Sequence, residues 1–334
     1  MRIKGIASTC AVLSFALLLM AGQAFADAKS LTNEGNALLK KGDYKGALAK
    51  FQAATTEDGE HVDAWIGGAK AAEKLEDWAT VKKNYLTVIE FLDKDNFDAR
   101  LGAGDYFLRA KKYADAQTHL TAAVKLQPGN AAVHYALGDL YYKTKKTTKA
   151  KTEYKKGLTL APDAHLISLY RLGRIEYDDG KASKKFDEAI KYYEQYIEKG
   201  KDKSTLFSIQ TDLGLIYQQL GKNQLALSHL GKAKSLKPGD YRPYFYSAEI
   251  YRSQKQMKEA EAEYLGVLER NQKHGSSHYQ LAIYYQQSYQ DAKALEHYQA
   301  AAKDTKFKGR KAAGEQAAAL DKYLKEVEKA EAAR

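Results

Sequence analysis

The sequence predicts an all-α protein assembled from repeated helix pairs, and three observations carry that prediction. Only four prolines occur in 334 residues, and Ala, Lys, Leu, Glu and Gln abound, a composition that favours helix throughout over a turn-rich all-β chain. Within the stretch "VHYALGDLYYKTKKTTKA", residues 133 to 150, Gly138 sits mid-helix, where glycine costs roughly 1 kcal/mol relative to alanine. The same small residue then returns at a near-constant interval, which marks a repeat array.

Taken in chain order, the first element is a leader. Arg2 and Lys4 precede the apolar run "AVLSFALLLM", and "AGQAFA" places small residues at Ala24 and Ala26. This is the layout of a secretory signal peptide, with cleavage expected after Ala26 and the mature chain expected to be periplasmic or secreted. The run is short for a membrane span, and Cys10 precedes it, which does not suit lipid attachment. Removing Arg2 and Lys4 with residues 1–26 leaves 51 basic side chains against 42 acidic ones, a net charge of +9. The single cysteine leaves with them, so the mature chain has no thiol chemistry and its stability must come from packing.

The array follows. The small residue recurs at Gly35, Ala69, Gly104, Gly138, Gly173, Gly214, Ala248 and Ala282. Twelve residues later comes a second small or apolar residue (Ala47, Val81, Ala116, Ala150, Ala226, Ala260 and Ala294, with Ala189 after a four-residue insertion). Four further on comes a large one: Phe51, Tyr85, Leu120, Tyr154, Tyr193, Leu230, Tyr264 and Tyr298. Pro128, Pro162 and Pro238 then close three of the units, where a helix must stop.

Each unit reads as two amphipathic helices joined by a short turn, with glycine just past the first helix at Gly42, Gly180 and Gly221. Asn130 and Asp240 are natural caps for the helices that follow them. The small residue is expected to let the second helix lie close against the first. The units are placed at 28–61, 62–95, 97–130, 131–164, 166–203, 207–240, 241–274 and 275–308. Residues 309–334 follow, with Ala317, Leu320, Leu324 and Val327 on one stripe, as expected of a helix that caps the stack.

This pattern resembles the tetratricopeptide repeat, whose signature is Trp-x2-Leu-Gly-x2-Tyr, then Ala-x3-Phe, then Pro. The fourth unit carries "LGDLY" at Leu137 to Tyr141, "AKTEY" at Ala150 to Tyr154, and Pro162; the sixth carries "LGLIY" at Leu213 to Tyr217. The tryptophan of the first helix survives only as Trp65, and the fifth unit has Glu176 in place of the aromatic and extra residues between Gly180 and Phe186. The resemblance implies a right-handed superhelical solenoid of about eight helix pairs whose first helices line a groove for protein or extended peptide partners.

About half of the 25 tyrosines occupy core columns, among them Tyr141, Tyr154, Tyr217, Tyr251, Tyr264, Tyr285 and Tyr298. The columns that commonly face the groove in that family hold Tyr135, Asp139, Tyr142 and Lys143 in the fourth unit and Tyr170, Arg171, Arg174 and Tyr177 in the fifth. They hold Arg242, Phe245, Tyr246 and Arg252 in the seventh, and Tyr279, Gln280 and Gln286 in the eighth. Tyrosine and arginine are the residues most enriched at binding hot spots, so these form the expected partner-binding set. Some family members clamp a partner's terminal carboxylate; the matching places here are Thr32, Asn36, Gly67, Asp98 and Gly102, of which only Asn36 fits.

No catalytic constellation, cofactor motif or metal set is visible. The pair His274 and His278 straddles Gly275 at a loop, and His278 is read as filling the column of Trp65. "DDG" at Asp178 to Gly180 lacks the rest of a calcium loop. The lysine-rich run 143–156 is a solvated face with little aromatic interleaving, so it gives no argument for nucleic acid and suggests at most weak attraction to anionic headgroups. The expected function is a non-enzymatic periplasmic scaffold for envelope complex assembly. The alternative that stays open is a glycan-binding or exopolysaccharide-export accessory protein.

Overall fold

The computed structural model describes residues 27–334. The leader expected at residues 1–26 lies outside them. Among the described residues there are seventeen α-helices and no strand. Residues 27–41 form α1, and Tyr44–Glu57 (α2), Val62–Lys74 (α3), Trp78–Thr87 (α4), Phe97–Arg109 (α5), Tyr113–Leu126 (α6), Ala131–Lys143 (α7) and Thr147–Leu160 (α8) follow. Then come Ile167–Gly180 (α9), Asp187–Lys199 (α10), Lys203–Gln219 (α11), Asn223–Leu236 (α12), Arg242–Ser253 (α13), Met257–Arg270 (α14), Gly275–Gln287 (α15), Asp291–Lys303 (α16) and Arg310–Ala332 (α17). The chain divides into two compact units, the first ending at Ser168 and the second running Leu169–Arg334.

The small-residue column does what its spacing predicts. A Cβ at Gly138 would lie 2.5 Å from the ring of Tyr154, and one at Gly173 2.4 Å from the ring of Tyr193. At Gly104 and Gly214 the atom that fills the space is a Leu120 or Leu230 methyl, 2.4 and 2.7 Å away. The large residue sixteen positions later, or twenty for Gly173 where the insertion intervenes, is thus seated in a notch that only a missing or minimal side chain leaves open, and tight packing outweighs poor helix propensity.

A second recurrent device holds the loops between pairs. Trp65 Nε1 donates to the Gly59 carbonyl at 2.8 Å, Arg100 Nε to Lys94 at 2.8 Å, and His134 and His278 reach Pro128 and Gln272 through Nε2 at 2.8 and 2.9 Å. Each bond spans six residues, so His278 does occupy the column of Trp65. Where that column holds Tyr244, which has no ring N–H, Arg270 supplies the bond to Pro238 at 2.6 Å while its guanidinium covers the Tyr244 ring at 3.8 Å. The loop carbonyl is thus bonded by whichever side chain reaches it, indole, guanidinium or imidazole.

The turn inside each pair requires a residue in the left-handed region. Gly42 and Gly221 take it with φ of 83° and 71°, but Glu76, Lys111, Lys145, Lys184, Lys255 and Tyr289 take it too, with φ between 54° and 60°. Gly180, expected at this place, is instead the last residue of α9; Lys184 adopts the left-handed conformation because the inserted residues lengthen that turn. Asn130 caps α7 through a 3.0 Å bond from the Ala132 N–H, and Asp240 accepts from the Arg242 N–H at 3.1 Å at the start of α13. At the C-terminal end α17 lies on α16 and buries Ala313, Ala317 and Leu320 with Tyr298 and Ala301.

Candidate partner-binding face

The first helices of the pairs carry a row of polar groups tied to the core by tyrosine. All five tyrosines of the large-residue column donate their hydroxyl to an acceptor on a first helix. Tyr85 reaches Glu73 at 2.9 Å, Tyr154 reaches Asp139 at 2.7 Å, Tyr193 reaches Asp212 at 2.8 Å and Tyr298 reaches Gln286 at 3.0 Å; Tyr264 bonds Glu249. A buried phenol needs a partner, and placing that partner on the first helix fixes a polar side chain at the face. Phe51, Leu120 and Leu230 fill the same column without a hydroxyl, so their pairs have no such anchor.

In the first unit the face is acidic. Burial holds the Glu73 carboxyl above its ordinary range against the pull of Tyr85, Lys70, Lys74 and Arg109. Asp105 makes no hydrogen bond or ion pair among the described residues, because Leu120 stands where a tyrosine would reach it. It touches solvent on one side, yet the surrounding protein, then the carboxylates of Glu73 and Asp139, push its carboxyl up to about 7 against the opposing effect of Arg109. Asp139 also lies 3.9 Å from the imidazole of His165.

In the second unit the carboxylates are matched by arginine. Asp212 of α11 is 5% exposed and accepts from Arg174 of α9 at 2.7 Å as well as from Tyr193. Burial, with a smaller contribution from Asp178, raises the Asp212 carboxyl, and Arg174 and Tyr193 oppose it; burial works against the Arg174 charge, but Asp212 more than offsets this and holds it above its usual range. Arg252 pairs with Glu249 at 2.8 Å on the same helix, and Arg242 grips Asp240 through Nε and Nη2 at 2.9 and 2.6 Å.

The expected partner-binding residues divide accordingly. Tyr142, Tyr170, Arg171, Arg174, Phe245, Tyr246 and Tyr279 are half-buried, Lys143, Arg242 and Arg252 are exposed, and Asp139 is half-buried. Tyr135 and Tyr177 are corrected to interior residues, 4% and 5% exposed. The Tyr135 hydroxyl donates to the Ala161 carbonyl at 2.5 Å and its ring stacks on His165, while Tyr177 packs against Phe186. Their ring faces are spent on the fold, so they offer no surface to a partner. Tyr170 and Tyr279 also lean on core rings, Tyr193 and Tyr298, but keep an accessible side. Sequence reasoning missed Glu73, Asp105 and Asp212. The signal was present for the first: an acceptor twelve or fifteen residues before a column tyrosine recurs in Glu73/Tyr85, Asp139/Tyr154, Glu249/Tyr264 and Gln286/Tyr298.

Among the described residues no group of three or more His, Cys, Asp or Glu side chains is arranged to hold a metal ion, and no helix is long and apolar enough to cross a membrane. The solved structure of Pseudomonas aeruginosa pilF superposes with a TM-score of 0.57 at 19% identity, covering 68% of this chain and 99% of that one. The C-terminal part of a repeat protein from Cytophaga hutchinsonii superposes with a TM-score of 0.59 at 17% identity, covering 74% and 98%. Among curated proteins, anaphase-promoting complex subunit CDC16 of Saccharomyces cerevisiae is 29% identical over 182 residues, 53% of this chain and 21% of that protein. Hsp70-Hsp90 organizing protein 3 of Arabidopsis thaliana is 26% identical over 172 residues, 50% of this chain and 28% of its own length. The chain thus spans about a quarter of the length of the curated relatives it matches. Such repeat proteins typically mediate protein–protein interaction and are generally non-catalytic. Family models described as tetratricopeptide repeat match residues 32–80, 107–172 and 207–240, and with the helix pairs and their notches this places the chain in the tetratricopeptide-repeat family.

Proposed function

We propose that this chain is a non-enzymatic scaffold that holds an extended segment of a protein partner along its first helices. The observation that carries the reading is the bridge from Arg174 on α9 to Asp212 on α11, which joins the first helices of successive pairs into one polar face beside Tyr170 and Tyr246. Half-buried aromatic rings beside fixed charges suit hot-spot contacts, because little side-chain entropy remains to be lost on binding. A periplasmic location and a part in envelope assembly belong to the same proposal and rest on the leader-like residues 1–26.

Two measurements test it. Immobilised chain is exposed to envelope extract alongside a variant carrying Tyr170→Ala, Tyr246→Ala and Tyr279→Ala, with circular dichroism checking that both are folded. Capture of a discrete protein by the wild type alone is the expected result; equal capture by the variant, or retention of polysaccharide alone, overturns the reading. For location, a chain beginning at Asp27 is expected in the periplasmic fraction, and an unprocessed chain retained in the cytoplasm overturns export.

A further inference from the structure

At the C-terminal end of the second unit a recess of about 1250 Å³ opens between the α14–α15 loop and the α16–α17 loop. Lys273, Lys303, Lys306 and Lys308 line it, all exposed and none ion-paired among the described residues. Two carboxylates share the recess, Asp304 and Glu296, so the ammonium groups outnumber them two to one. Asp304 is also committed elsewhere: it accepts from the Gly275 and Lys306 backbone N–H groups, both at 2.9 Å, and these bonds hold its carboxyl below the ordinary range. Half-buried Phe307 and Tyr241 add apolar wall, with Phe307 packed 5.5 Å from the ring of Tyr279.

The helix pair does not require these lysines. One cation in the last turn of α16 would satisfy its dipole, and the first two loops that follow second helices carry Asp58, Glu60, Asp93 and Asp95 against a single Lys94. We propose that the recess binds an acidic peptide segment of the protein partner, with the four lysines meeting its carboxylates. Lysine is a point charge that attracts carboxylates without demanding one planar geometry, which suits several acidic side chains in sequence. The amides of Asn271 and Gln299 line the same recess and suit a peptide backbone. Its volume far exceeds one phosphate, and its concavity does not match a flat bilayer. The nature of the occupant rests on the scaffold reading, whereas the site itself is tested without a native partner.

The test titrates a fluorescein-labelled oligoglutamate peptide into the full chain by fluorescence anisotropy. Lys303→Glu with Lys306→Glu is expected to weaken binding about tenfold or more, since two partly exposed ion pairs become repulsive. Binding should also fall steeply between about 20 mM and about 200 mM salt. Lys40→Glu with Lys41→Glu, exposed on α1, is expected to leave affinity within about twofold. The proposal is overturned by an equal loss in the Lys40 and Lys41 variant, or by no loss in the Lys303 and Lys306 variant. It is likewise overturned if inorganic phosphate or phosphatidylglycerol vesicles displace the peptide as effectively as unlabelled peptide does. A lysine-dependent dimer of the chain alone in sedimentation would show the recess filled by a second copy, which also overturns it. Failure of the extract capture with a positive titration refutes the scaffold face and leaves the recess standing; the reverse pattern does the opposite.

Discussion

The two compact units use one hairpin architecture and balance its charge in different ways. In the first unit, Glu73 and Asp139 are anchored by tyrosine hydroxyls and Asp105 by nothing. In the second, Asp212 and Glu249 are anchored by tyrosine and also paired with Arg174 and Arg252. A column tyrosine therefore calls for an acceptor on a first helix, and the chain supplies it twelve or fifteen residues earlier or, for Tyr193, nineteen residues later. In the second unit an arginine then pairs with the acceptor, from the preceding first helix at Arg174 and from the same helix at Arg252. The loops differ as well: those after α2 and α4 carry Asp58, Glu60, Asp93 and Asp95, whereas the one after α16 carries Lys306 and Lys308.

The sharpest way to break this comparison is to remove the acceptor from each unit. Asp212→Ala strands both the partly buried Arg174 and the Tyr193 hydroxyl, and a loss of about 3 kcal/mol is expected in urea unfolding. Asp139→Ala strands the Tyr154 hydroxyl and removes the carboxylate beside the His165 imidazole, and is expected to cost about 1–2 kcal/mol. Equal losses would mean that arginine adds nothing to the second unit.

The notch offers the next contrast. Gly138→Ala drives a methyl into the Tyr154 ring, an overpacking cost of about 1–3 kcal/mol that exceeds the helix-propensity gain of about 1. Gly231 lies mid-helix in α12 with nothing within 4 Å, so Gly231→Ala is expected to stabilise by about 1 kcal/mol. Opposite signs in thermal melts are the outcome to look for; matching signs would remove the packing argument for the column.

Titration sharpens the acidic unit. Because Asp105 is raised in the folded chain, it binds its proton more tightly there than when unfolded, and its ionisation lowers stability as pH rises from about 4 to about 7. Asp105→Asn is expected to gain about 1 kcal/mol at neutral pH, a fraction of the full shift because water reaches the carboxylate, and nothing below about pH 4. A gain that does not vary with pH would deny that burial beside Glu73 and Asp139 raises the Asp105 carboxyl. The smallest effect concerns the turns: Lys145→Gly and Tyr289→Gly relieve left-handed strain at φ of 59° and should each add about 0.5–1 kcal/mol.

Much of the fold was legible because a hairpin repeat leaves its constraints at fixed spacing. The notch, the column it receives, the closing prolines and the cap at Asn130 are each local in sequence, so their period survived substitution of individual residues. The partner-binding face was legible only as columns. Columns name the helix face a residue occupies, but they did not show that Tyr135 turns inward to the Ala161 carbonyl or that Tyr177 packs on Phe186. They also passed over the left-handed lysines, since glycine alone advertises that conformation.

By itself the sequence determined the helix pairs and the rule that joins them, because helical period and steric bulk act between residues close along the chain. Only the tertiary structure decided which polar groups are held, paired or left charged at the face. The partners that settle the matter, Arg174 and Asp212 or Lys273 and Lys306, lie more than thirty residues apart and meet only when successive hairpins stack.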